Sequence, residues 1–185
     1  MPAFLFCSAQ NLCKFFNSKI INGVRMKRSE YLVPLSWEHH SALVNANRIK
    51  LGVENKAPLS VIQEFVEYIW EHDLLPHFER EEEVILSREE ADKIPTDIKE
   101  RTLAEHQEFS TLFDQILQTA EEAEKKKLLK RFADLLVAHV RFEESEFFPS
   151  VEKEFSQEAL KEIGKELKER HVPACFTWEP PFWKQ

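Results

Sequence analysis

His139-Val140-Arg141-Phe142-Glu143-Glu144-Ser145-Glu146-Phe147-Phe148-Pro149 sets a histidine and a glutamate one helical turn apart inside an aromatic and apolar run. Side chains at i and i+4 share a helix face, so the imidazole of His139 and the carboxylate of Glu143 can point at one common atom, and a metal ion suits both. The pair alone decides nothing. With 33 Asp and Glu in 185 residues, about one of the seven histidines meets an acid at this spacing by chance. A second copy changes the odds: His77-Phe78-Glu79-Arg80-Glu81-Glu82. Both copies read H-x-x-x-E-E, and an apolar pair follows each at the same offset, Ile85-Leu86 and Phe147-Phe148.

Working outward, Glu38-His39 returns as Glu105-His106. One helical hairpin is thus written twice, each copy offering one histidine from its first helix and an H-x-x-x-E from its second. Packed antiparallel, they form an up-down four-helix bundle whose interior receives His39, His77, Glu81, His106, His139 and Glu143. Burying these polar groups without partners would cost several kcal/mol. A cation satisfies them together. Six N and O donors without thiolate do not suit a tetrahedral structural zinc; imidazole plus carboxylate suits iron or manganese, and two carboxylates free to bridge suit a pair of ions. A ferritin-like site needs Glu-x-x-His, and no histidine here has a glutamate three residues before it.

Composition agrees with long helices. Three glycines argue against Gly-rich phosphate loops and turn-rich β folds, and 185 residues make one domain the default. A net charge of -8 argues against a nucleic-acid surface. No apolar run approaches the roughly 18 to 20 residues that span a bilayer. Cys7, Cys13 and Cys175 are odd in number and not closely paired, which reads as reduced thiols in a cytoplasm.

Residues 1–29 hold no acid and form an N-terminal extension; 30–155 form the four-helix domain; 156–185 form an extra C-terminal helix and an extended aromatic tail. Ser36 is expected to cap the first helix, which should end near Gly52. His39 faces the core more convincingly than His40, which is expected to be exposed or to stand behind the ligands, its replacing or supporting His39 being left open. Pro76 should bend the second helix just before His77, with His72 on the surface. From the acidic run 79–83, Glu81 alone needs to turn inward. Leu103, His106, Phe109, Leu112, Phe113 and Ile116 share the inner face of the third helix, and Pro149 should close the fourth. Ser156 caps the amphipathic fifth helix through Leu160, Ile163 and Leu167. The tail is expected to bury Trp178 and Trp183.

The order His39, His77-x-x-x-Glu81, His106, His139-x-x-x-Glu143, with the phrases LSWEHHSAL, HFEREE and HVRFEESEFFP, resembles the hemerythrin-like family of cation-binding four-helix bundles over about residues 26 to 150. Met26-Lys27-Arg28 is similar to that family's usual beginning, which supports reading the preceding residues as an extension upstream of a start at Met26, with a structured arm or an organelle transit segment as the other readings of that stretch. The resemblance further implies two non-haem iron ions, with manganese or zinc as substitutes, bridged by Glu81 and Glu143 and completed by the histidines. The oxygen-carrying members have a second histidine one turn from the first on the third helix, and a terminal Asp one residue further on. Here Thr102 and Ser110 flank His106 and the last motif ends in Glu143, which argues against reversible oxygen storage.

The expected function is therefore a cytoplasmic di-iron protein that binds dioxygen, peroxide or nitric oxide, or senses iron or redox state. Phe109, Phe113, Phe142 and Leu136 are expected to keep water out. The alternatives are a peroxidase or oxidase of the same architecture, with Glu38 or Glu105 as general acid, and a metal-free helical interaction module. No protein partner is indicated.

Overall fold

The computed structural model describes residues 19–21, 24–26, 28–170 and 178–184. The three cysteines, residues 1–18, and the first part of the tail with His171 lie outside the described residues. The architecture is an all-α bundle, preceded by a short ribbon that the sequence reading did not include: β1 (Lys19–Ile21) pairs antiparallel with β2 (Val24–Met26).

Helix α1 spans Val33–Glu54. Pro34 needs no amide donor in a first turn, so the helix starts before it and Leu32, not Ser36, is the cap residue. Ser36 lies inside the helix, where its hydroxyl donates to Glu144 Oε1 at 2.8 Å. The helix also runs past Gly52. It ends in a Schellman turn with Lys56 in the left-handed region at φ 59, Ala57 N–H donating to Gly52 C=O and Lys56 N–H to Val53 C=O. Gly52 serves packing instead: a Cβ there would stand 2.5 Å from the Phe182 ring.

Helix α2 (Leu59–Ile69) continues through a π-helical turn, Trp70–Leu74, into α3 (Leu75–Arg80), and a second π turn, Glu81–Leu86, follows. The distortion expected at Pro76 is this first π turn: Leu75 N–H reaches back five residues to Trp70 C=O, so the ladder has left α register before the proline arrives. Helix α4 covers Thr96–Gln118 and α5 covers Glu122–Phe142, with the Glu121 carboxylate accepting from the amides of Ala123 and Glu124. Pro149 does not close the fourth rod. A third π turn, Glu143–Phe147, leads into α6 (Phe148–Glu154), and Phe148 N–H likewise bonds Glu143 C=O. Among the described residues no helix is long and apolar enough to cross a membrane.

Around the bundle the rods stand in the order α1, α2, α4, α5, each packed on the next and α5 most extensively on α1. On α4 the inner stripe passes through Thr102, fully buried, while Leu103 is 45% exposed, contrary to its expected place. Two apolar cores result. One gathers Ile49, Ile62, Phe65, Phe109, Phe132 and Leu136; the other gathers Leu35, Ile85, Phe147, Phe148, Leu160 and Ile163.

Helix α7 (Gln157–Glu169), capped by Ser156, buries Leu160, Ile163 and Leu167 in the second core. Its Gly164 lies under Tyr31, and an added Cβ would meet Tyr31 Cβ and Cδ1 at 2.9 Å and its Cα at 3.0 Å. Backbone cannot yield as a side-chain tip can, so Gly164→Ala should cost about 1–3 kcal/mol. For a chain of this size that lowers Tm by roughly 2–12 °C, to be read by circular dichroism. At the opposite end, the tail buries Phe182 fully against Phe65, whereas Trp178 and Trp183 are half-buried, less than expected. Trp183 lies under the Arg48 guanidinium, and its carbonyl accepts from Asn55 Nδ2.

Candidate metal centre

Four rods deliver one imidazole each: His39 from α1, His77 from α3, His106 from α4 and His139 from α5. Glu81 and Glu143 are the first residues of the two π turns that follow the histidine-bearing helices, so the repeat in sequence is also a repeat in local structure. Both carboxylates are completely buried, and the four imidazoles are nearly so. His39 Nε2 lies 3.0 Å and His139 Nε2 3.2 Å from Glu143 Oε2, while His77 Nε2 and His106 Nε2 each lie 3.3 Å from a Glu81 oxygen. All six candidates from the sequence converge. His40 and His72 are not among them; His72 is exposed and stacks on Tyr68.

The donors fall into two groups, His39, His77, Glu81 and Glu143, and Glu81, His106, His139 and Glu143. Each can hold a metal ion, and both carboxylates belong to both groups. Whether a cation fits can be read from atoms that lack anything else. Both oxygens of Glu81, both of Glu143, and Nε2 of His106 and His139 are buried with no hydrogen-bond partner. His39 and His77 bring their Nε2 atoms to 3.1 Å, a contact that a shared proton or a cation satisfies. Stranding such groups is costly, and the donor set is that of an imidazole–carboxylate metal.

Each imidazole also faces an outer glutamate through Nδ1. Glu38 takes His77 at 2.7 Å and Glu105 takes His139 at 2.8 Å; Glu82 takes His106 at 2.7 Å and Glu144 takes His39 at 2.8 Å. A neutral imidazole so placed carries its proton on Nδ1 and turns the Nε2 lone pair inward, the usual arrangement behind a metal-bound histidine. Glu38 and Glu105 therefore serve the histidine across their own hairpin, and Glu82 and Glu144 serve a histidine of the other hairpin. The sequence places Glu82 in a solvated acidic run, assigns no role to Glu144, and offers Glu38 and Glu105 as general acids. The signal was present in the doubled glutamate of H-x-x-x-E-E. Burial raises the Glu38 pKa, but His77 and Arg80 outweigh it and hold it down at about 2; Glu144 is likewise held at about 2, His39 and Arg28 outweighing burial. Ionised at neutral pH, Glu38 is an acceptor and not an acid.

Without a cation the inner carboxylates draw protons onto the imidazoles. Burial opposes protonation of His106, yet Glu143 and Glu81 push its pKa up to about 10, and Glu81 and Glu38 likewise raise His77 well above its ordinary value against burial. A metal must expel these protons, so apparent affinity rises with pH up to the raised histidine values. Titrating metal into chelated protein at pH 7 should release about one proton or more per ion. Calorimetry in two buffers of different ionisation enthalpy measures it, and equal heats would contradict it.

Aromatic rings wall the cluster. Phe78 stacks on His106 at 4.1 Å between centroids, Phe148 stacks on His39 at 5.1 Å, and Phe109 stands edge-on to His139. Phe113 and Phe142, expected in this wall, instead lie against Trp70 and beneath Arg101. A cavity of about 20 Å³ reaches His39, His77 and His139 past Ser41, Asp73 and Leu136. Asp73 sits on the first π turn and accepts from Asn45 Nδ2; burial pushes its pKa up to about 6.

A helical bundle that buries paired imidazoles around shared carboxylates is a cation-binding domain. The chain belongs to the hemerythrin family: the model of the hemerythrin HHE cation-binding domain matches residues 35–151. No curated protein and no solved structure matches the chain.

Proposed function

We propose that the protein holds two non-haem iron ions and binds a small ligand beside them, dioxygen, peroxide or nitric oxide, as a carrier or a sensor of iron or redox state. The observation that carries this reading is that Glu81 and Glu143 belong to both donor groups, so one bridged pair uses all six orphaned atoms of the imidazole–carboxylate cluster. His39 and His77 would hold one iron and His106 and His139 the other. Bound there, two irons would supply one-electron redox chemistry and positions open to a small ligand.

The chain's own residues supply the rest. Outer glutamates fix each imidazole, and Phe78, Phe109 and Phe148 exclude water from the rings they touch. The cavity has room for about one water-sized molecule, which favours a diatomic ligand over an organic substrate. At its wall Asp73 can carry a proton at mildly acidic pH. Protein purified from iron-replete cells should contain about two irons per chain, read by metal analysis. A chain that neither retains nor takes up iron refutes the proposal.

A further inference from the structure

Three of the four outer glutamates are themselves gripped by arginines, and the grip is unequal. Arg80 Nη2 donates at 2.7 Å to the Glu38 oxygen that takes His77, and its Nη1 reaches the Arg170 carbonyl at the end of α7 at 3.4 Å. Arg28 Nη2 donates at 2.9 Å to both the Oε2 and the backbone carbonyl of Glu144, whose Oε1 takes His39 and Ser36. Arg28 also pairs with Glu152 and lies over Phe148, the ring stacked on His39. The side chains of Arg80 and Arg28 are 7% and 14% exposed. On the other side Arg101 holds Glu105 from a side chain 45% exposed, and Glu82, 44% exposed, meets no arginine among the described residues.

We infer that Arg28 and Arg80 are positioning residues that make the two cation positions unequal, the one at His39 and His77 being fixed and the one at His106 and His139 labile. This rests on the two-cation reading above. A cation leaves when an imidazole swings away, which breaks its Nδ1–H bond to the outer carboxylate. Behind His39 and His77 a buried arginine pins that carboxylate, so it can neither follow the imidazole nor turn to water, and the broken bond leaves a buried acceptor short of a partner. Behind His106 the freed carboxylate turns to water. The arginines come from the segment before α1 and from α3, and bind respectively α6, through Glu152, and the end of α7. The fixed position is thereby tied to the elements outside the four long rods.

The test uses the full chain loaded with cobalt(II), whose visible absorption reports each ion as excess chelator removes it. Wild type should load two ions and lose them in two phases, with rates at least about 10-fold apart. Arg80→Gln should speed the slow phase about 10-fold and leave the fast phase alone, and Arg80→Lys, which keeps the charge, should restore part of the difference. Arg28→Gln should act as Arg80→Gln does, while Arg101→Gln should move the fast phase. Loss of both ions in a single phase, or equal acceleration of both phases by Arg80→Gln, overturns the inference and leaves the two-cation reading intact. Failure to bind cobalt or iron at all overturns the two-cation reading, and this one with it.

Discussion

Glu143→Ala is expected to empty both cation positions. Bound iron should fall from about two ions per chain to well below one, because the carboxylate belongs to both donor groups and each loses a ligand. His139→Ala supplies the contrast. His139 belongs to a single group, so its loss should leave about one ion, held by His39, His77 and the two glutamates. Metal analysis of the two variants beside wild type separates a bridged pair from two independent ions. If Glu143→Ala keeps one full equivalent, the bridge is refuted.

Chelation should lower Tm by about 8–16 °C. An ion present at about 1,000 times its Kd stabilises the folded state by roughly 4 kcal/mol, and each kcal/mol is worth about 2–4 °C in a chain of this size. The loss is larger than a surface ligand would cause, because what remains is a buried layer of carboxylates and protonated imidazoles in the middle of the bundle. A helical module in which the histidines merely pack predicts no change on chelation, so the same melt decides between the two. Readdition of iron should restore the lost degrees.

The convergence of the six inner residues was legible because the chain writes the pattern twice, and because a helix converts a spacing of four residues into a shared face. The ring of outer glutamates was half legible. Glu82 and Glu144 adjoin the inner carboxylates in both copies, but adjacent helical positions face different ways, and the imidazole that each serves arrives from the other hairpin. Arg80 was hidden by its acidic neighbours, whose exposure is correct for Glu79, Glu82 and Glu83 and wrong for the arginine between them. Arg28 was assigned to an extension, although it reaches a residue 116 positions away. Prolines misled twice. Pro34 belonged inside a first turn and displaced the cap from Ser36, and Pro149 followed a π turn that had already shifted the ladder. No local propensity writes such a turn, since its i→i+5 bonds follow from packing on neighbouring rods.

The two apolar cores have a consequence for how the molecule comes apart. A continuous core lends a domain its single melting step, and here the continuity is interrupted by a slab of imidazole and carboxylate. With cations in place the slab is a rivet, and amide exchange in the α6–α7 end should require opening of the whole bundle. With them gone it is a seam, across which the two ends can open one at a time, so that the metal sets the cooperativity of this chain as well as its stability.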